Sequence, residues 1–106
     1  MNQVDLKPLL DGVARLPRAT ALLQESGLRT VLFHLKGGET LAEHNTRGAI
    51  VIQCLTGQST LVAGDERIEM TPRLLTSLAP GVPHSVSAQQ DTLLLVTISE
   101  QMPARS

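Results

Sequence analysis

Short apolar runs separated by turn residues recur along most of the chain. The clearest runs are 19–24, 28–36, 49–55, 59–63, 67–70, 74–78 and 92–98. Gly64-Asp65 between two of these runs predicts a β-hairpin. The sequence Pro80-Gly81-Val82-Pro83 predicts a rigid turn, because proline donates no backbone hydrogen bond within a strand. Many short strands with frequent turns are typical of a sandwich or barrel, so we expect an all-β domain.

The length of 106 residues suits one domain with a single core. The pattern divides the chain into an N-terminal arm over 1–17, a barrel over 18–100 and a frayed tail over 101–106. The arm contains Pro8 and Pro17 around a mixed stretch that fits either one helical turn or an extended segment. We expect an extended arm that lies along the barrel.

Two of the predicted strands are apolar on both faces. The runs 50–52 and 93–96 contain only Ile, Val and Leu, whereas a strand with one face in water alternates apolar and polar side chains. Either the outer face is covered by the arm or a second subunit, or the core is locally thick. We expect a homodimer, since exposed apolar patches usually mark interfaces.

Charge and aromatic content exclude some functions. Nine basic and ten acidic residues give a formal net charge of −1, and the chain has one Phe and no Trp or Tyr. Without a basic stripe or aromatic platforms we expect no nucleic acid partner. The absence of Tyr also removes one common general acid.

Cys54 is the only cysteine, so an intrachain disulfide is excluded. The first eleven residues include Asp5, Lys7 and Asp11 and do not resemble a signal peptide. No apolar run approaches the ~18 residues of a membrane span. We therefore expect a cytoplasmic protein that does not contact membranes.

Three histidines, His34, His44 and His84, are the candidate polar groups of an interior site. His44 follows Gly38 by six residues, and His84 directly follows the proline-rich turn. We expect both at the beginning of strands, where imidazoles can point into the mouth of a barrel. Neutral imidazole is a common metal ligand.

The residues around His44 and His84 resemble the two motifs of the cupin superfamily. The first family motif is Gly, five residues, His-x-His, three residues, Glu, six residues and Gly. Gly38, His44 and Gly57 match it without a gap. The second is Gly, five residues, Pro-x-Gly, two residues, His, three residues and Asn, which Gly81 and His84 match. The resemblance covers about 28–98 and implies a double-stranded β-helix (the jelly-roll, RmlC-like barrel), often dimeric.

The chain departs from these motifs at most of the implied metal ligands. Metal-binding cupins usually use two His and one Glu of the first motif and the His of the second. Thr46 stands at the second His and Ile50 at the Glu. Arg73, Ala79 and Ala88 replace the Gly, Pro and Asn of the second motif. Ile offers no donor atom and Thr is a poor ligand beside imidazole, so the metal site is degenerate.

Strand alternation indicates which other side chains face the interior. Cys54 shares the parity of Ile50 and Ile52, so all three are expected to point inward. Cys54 is expected to be a small buried hydrophobe, and a soft ligand is the alternative. His34 is expected to be a satisfied structural histidine rather than a third ligand. The predicted ligand-binding set is His44, Thr46, Ile50, Ile52, Cys54 and His84.

Three functions remain open from the sequence. The first is a barrel that binds a small apolar or mixed-polarity molecule, with no resident cofactor. The second is a metal-dependent dioxygenase, isomerase or decarboxylase, with a divalent ion held at low occupancy by His44 and His84. The third is an assembly module that acts through its dimer surface.

Overall fold

The structure, a computed structural model, describes residues 1–100. The tail predicted for 101–106 lies outside the described residues. The elements in chain order are helix α1 (Lys7–Asp11), a 3-10 turn (Val13–Arg15), β1 (Ala19–Glu25), β2 (Leu28–Leu35), β3 (Thr40–His44), β4 (Ile50–Thr56), β5 (Ser59–Ala63), β6 (Glu66–Met70), β7 (Leu75–Leu78), β8 (His84–Ala88) and β9 (Thr92–Ser99). None of the helices in residues 1–100 is long and apolar enough to cross a membrane.

The strands form two sheets in which every neighbouring pair is antiparallel. One sheet has the order β1-β2-β9-β4-β7 and the other β3-β8-β5-β6. The hairpin at Gly64-Asp65 joins β5 to β6, with Ala63 opposite Glu66. The predicted all-β jelly-roll fold is confirmed.

The core lies between the inner faces of the two sheets. In β4, Ile50 and Ile52 are each 2% exposed, whereas Val51 between them is 38% exposed. Side chains in the run 50–52 therefore alternate between the core and the outer face, and the outward residue, Val51, is also apolar. The inward residues of the other sheet include Leu61 and Val86, which lie opposite each other on β5 and β8.

Part of the outer face of the five-stranded sheet is covered by the chain itself. Leu32, His34 and Leu93 are at most 5% exposed, although they point away from the core between the sheets. The segment before β1 reaches this face, since the carbonyl oxygen of Leu16 lies 3.2 Å from His34 Nδ1. The N-terminal residues thus cover the outward apolar side chains near Leu93, whereas the outward side chains near Val51 remain exposed.

Two local predictions are wrong. The N-terminal region is not an extended arm, because Lys7–Asp11 form a helical turn and a 3-10 turn follows. Pro8 is accommodated in the first turn of α1, where its missing N–H is not needed. His44 ends β3 instead of beginning a strand, because the polar stretch Thr40–His44 pairs with β8 at the sheet edge.

Candidate functional site

A cavity opens between the two sheets at the end where β3 stops and β8 begins. Its walls come from both sheets and from the loop between β3 and β4. The lining residues are Phe33, Leu41, His44, Thr46, Ile50, Ile52, His84, Val86, Leu94, Val96 and Ile98. Only His44, Thr46 and His84 among these bear polar side chains, so the site is an apolar chamber with three polar groups.

The chamber is narrow inside and wide at its mouth. The interior has a volume of about 40 Å³, and the whole concavity with its solvent-filled mouth has about 410 Å³. The smaller value is the space open to the centres of water-sized molecules, and it is enough for about three waters. A bound molecule larger than a few atoms must therefore extend into the mouth.

His44 and His84 lie directly opposite each other on β3 and β8. Their ring centroids are 4.2 Å apart and the ring planes are inclined by 59°. His84 is 4% exposed, whereas His44 is exposed at the mouth. The pair thus spans the chamber from its wall to its opening.

Both imidazoles are oriented by the same local contact. Nδ1 of His44 lies 2.9 Å from the carbonyl oxygen of Ala42, and Nδ1 of His84 lies 2.9 Å from that of Val82. A carbonyl oxygen only accepts, so Nδ1 carries the proton in both rings. In the neutral ring this leaves the Nε2 lone pair free, which is the atom that accepts a proton or binds a metal.

Thr46 is a polar group whose hydroxyl proton is already used. Its Oγ1 donates to the carbonyl oxygen of Gly48 at 2.8 Å, and its own carbonyl accepts from Gly81 N–H at 2.8 Å. The second bond ties the loop after β3 to the turn before His84. The Thr46 side chain can therefore only accept a hydrogen bond from a ligand. Its two hydrogen bonds also fix the loop at the mouth of the chamber.

Five of the six predicted site residues line the chamber, and Cys54 does not. Cys54 is 1% exposed and has the expected inward parity, but it lies farther along β4 than Ile52, beyond the chamber. Its Sγ donates to the carbonyl oxygen of Thr56 at 3.3 Å and approaches that of Gly57 at 3.7 Å. Burial is the largest influence on the Cys54 thiol and raises its pKa. The thiol is a buried core group.

His34 also lies away from the chamber. It shares the outer face of β2 with Leu32, while the inward parity belongs to Val31, Phe33 and Leu35. Its Nδ1 contacts the Leu16 carbonyl. His34 therefore cannot act as a third ligand beside His44 and His84.

Six apolar residues of the chamber wall were not predicted from the sequence. They are Phe33, Leu41, Val86, Leu94, Val96 and Ile98. Leu94, Val96 and Ile98 could have been assigned to one common face from the sequence, because alternate residues of a strand such as β9 point the same way. Which face of β9 turns inward depends on its pairing with β2 and β4, and that pairing is a tertiary property.

The donor set does not fit a resident metal ion. Ile50 occupies the wall where the motif implies a carboxylate, and the Thr46 hydroxyl is bound to Gly48. Within residues 1–100 no group of three or more His, Cys, Asp or Glu side chains is placed to hold a metal. Two imidazoles fall short of the three protein ligands that catalytic metal sites usually provide.

Comparison with known proteins reveals similarity of fold. No family model matches the chain, and no curated protein matches it in sequence. A cupin superfamily protein from Desulfitobacterium hafniense is similar with a TM-score of 0.74 and 19% identity, over 78% of this chain and 76% of that chain. An RmlC-like cupin from Desulfovibrio desulfuricans is similar with a TM-score of 0.70 and 27% identity, over 77% and 80%.

An enzyme also shares the fold. A variant of salicylate 1,2-dioxygenase from Pseudoaminobacter salicylatoxidans is similar with a TM-score of 0.73 and 19% identity. The match covers 88% of this chain and 30% of that chain. At this identity the likeness concerns the fold alone, and the dioxygenase reaction is a property of that protein.

Proposed function

We propose that this chain, which folds as a small single-domain cupin, is a small-molecule-binding barrel without a full metal site. The ligand is a small molecule, largely apolar, that enters the chamber beside His44 and His84. The observation that carries this proposal is the pairing of an apolar wall with two imidazoles of fixed orientation. Pockets with mostly apolar walls and a few placed polar groups are the usual form of small-molecule sites.

Any hydroxyl or amide N–H group of the ligand is expected to meet the Nε2 atoms. Each Nδ1 proton is committed to a backbone carbonyl, so a neutral imidazole presents Nε2 as an acceptor. Such a hydroxyl or amide proton can be donated to this acceptor. Because the interior holds about 40 Å³, the part that enters it is no larger than a short alkyl group or the edge of one ring.

Ligand screening by ¹H–¹⁵N NMR tests this proposal with a matched pair of variants. Val86→Phe fills the chamber, since Val86 is buried in its wall, and Val62→Phe places the same ring on the outer face of β5, where Val62 is 36% exposed. Fragments of up to about eight heavy atoms should shift the amides of Val86 and Val96 in the wild type. Binding should be lost in Val86→Phe and retained in Val62→Phe. Equal binding to both variants, or no fragment that shifts these amides, would contradict the proposal.

Metal analysis separates this function from a metal-dependent dioxygenase, isomerase or decarboxylase. We expect tag-free wild-type protein and a His44→Ala/His84→Ala variant to contain equally little transition metal. Near-stoichiometric metal in the wild type that disappears in the double variant would make a metalloenzyme the leading function instead.

An assembly role is the second candidate, and one observation favours it. Leu75 on β7 is 67% exposed and lies opposite Gln53, on the same outer face as Val51. The segment before β1 does not cover this end of the sheet. A homodimer that buries Leu75 would use this face.

Light scattering after gel filtration tests the assembly role. Leu75→Lys should convert a dimer to a monomer, whereas Leu28→Lys should leave the mass unchanged, since Leu28 is 44% exposed at the start of β2, which lies on the other side of β9 from β4 and β7. A wild-type protein that is monomeric at about 100 µM would contradict it.

A further inference from the structure

A second depression continues the chamber at its mouth. Its walls include Arg29, Asn45, Arg47 and Glu100, and it shares Thr46 and Ile98 with the chamber. It has a volume of about 400 Å³, roughly ten times that of the chamber interior. A molecule that fills the interior and extends through the mouth therefore meets charged side chains.

The side chains that line this depression carry one more positive charge than negative charge. Arg29 Nε lies 2.8 Å from Glu100 Oε1, so these two side chains neutralise each other. Arg47 forms no ion pair with any residue in the described range 1–100. The walls thus carry two positive charges and one negative charge, a net charge of +1 in a chain whose formal net charge is −1.

The backbone next to Arg47 is held at a fixed distance from the chamber. On one side, the Thr46 carbonyl accepts a hydrogen bond from Gly81 N–H, and the Thr46 hydroxyl donates one to the Gly48 carbonyl. On the other, Ser99 N–H donates to the Ala49 carbonyl at 3.0 Å. A Cβ on Gly48 would lie 1.8 Å from the Ser99 carbonyl oxygen, so the loop packs directly on β9. The Arg47 side chain therefore begins from a position set by three hydrogen bonds and by the packing of Gly48 on Ser99.

We infer that the ligand is a small monocarboxylate whose apolar part fills the chamber and whose carboxylate binds Arg47 at the mouth. This inference rests on the proposed binding function. A guanidinium group binds a carboxylate through two parallel hydrogen bonds. A single uncompensated cation matches a monoanion, whereas a phosphate dianion would leave one charge unbalanced.

Titrations with acid and amide pairs test the inference. The probes are butanoate with butanamide and benzoate with benzamide, followed by NMR in a buffer without carboxylates. Each acid should bind the wild type about tenfold more tightly than its amide, which is the range for one charge-assisted contact. Arg47→Gln should remove the preference, and Arg73→Gln, at an exposed arginine outside both depressions, should retain it. Added salt should weaken binding of the acids and not of the amides.

The contrary outcomes are distinguishable. If acids and amides bind the wild type equally, the binding function stands and the carboxylate inference is wrong. If the acids are preferred equally by wild type and Arg47→Gln, the assignment to Arg47 is wrong. If no acid, amide or other fragment shifts the chamber amides, the proposed function fails together with the inference.

Discussion

The rings of His44 and His84 lie 4.2 Å apart across the β3–β8 pairing, and each donates its Nδ1 proton to a carbonyl two residues earlier in the chain. The same contact on two neighbouring strands gives both imidazoles the same tautomer. The result is a pair of Nε2 acceptors in an apolar chamber, without the carboxylate that a metal site would need.

The two histidines should differ in their contribution to stability. His84 is 4% exposed, so His84→Ala removes a buried ring and leaves the Val82 carbonyl without its partner. We expect a loss of about 1–3 kcal/mol in the free energy of unfolding, measured in urea. His44 is exposed, and His44→Ala should cost less than about 0.5 kcal/mol. Equal losses would mean that the two rings are equally buried in solution.

Ile50→Glu should create a metal site. The substitution places a carboxylate in the wall shared by His44 and His84 and completes a set of three ligands. Without metal the variant should lose about 2 kcal/mol or more in unfolding free energy, because a charge is buried without a partner. Zinc should restore stability and bind at least tenfold more tightly than to the wild type.

Val51→Glu is the matched control for this gain of metal binding. Val51 is the outward neighbour of Ile50 and is 38% exposed, so its carboxylate would face solvent on the other side of the sheet. Calorimetric zinc titration should show no difference between Val51→Glu and wild type. Equal zinc affinity in Ile50→Glu and Val51→Glu would contradict the position assigned to Ile50.

Gly57→Ala should be more destabilising than Gly64→Ala. Both glycines have positive φ, +90° and +58°, so both variants include the cost of that conformation. A Cβ on Gly57 would lie 2.2 Å from the Asp91 carbonyl oxygen, whereas nothing lies within 4 Å of one on Gly64. We expect Gly57→Ala to lower the free energy of unfolding by about 2–4 kcal/mol and Gly64→Ala to lower it by about 1 kcal/mol, as measured by thermal unfolding. Similar losses would mean that the turn at Gly57 relaxes away from β9.

Cys54 should make stability depend on pH in the alkaline range. Burial raises the pKa of the folded thiol above its ordinary value of 9.0, so the folded state favours the neutral thiol. This contribution is complete below about pH 9 and is lost as the pH rises toward the folded pKa, because only the unfolded chain ionises readily. Above about pH 9, the free energy of unfolding of the wild type should fall relative to that of Cys54→Ala. A difference that is constant with pH would contradict this.

The strand pattern, the hairpin at Gly64-Asp65 and the turn before His84 are local properties, and the sequence alone determined them. Parity along β4 also determined that Ile50 and Ile52 share a face, because side chains alternate in any strand. The matching spacing of Gly38, His44, Gly57, Gly81 and His84 indicated the fold. The N-terminal helical turn was one of two alternatives, and the extended arm was preferred. Strand β3 was missed, since a polar edge strand has no apolar alternation to reveal it.

Only the tertiary structure decided which residues meet. His44 and His84 are forty residues apart, and their contact depends on the pairing of β3 with β8. Cys54 has the same parity as Ile52 but lies beyond the chamber, because parity determines the direction of a side chain and not its depth along the barrel. The sequence likewise left open what covers the outer face, and the segment before β1 covers one part and leaves Leu75 exposed. Depth, pairing and coverage arise from contacts between distant segments, which no local pattern encodes.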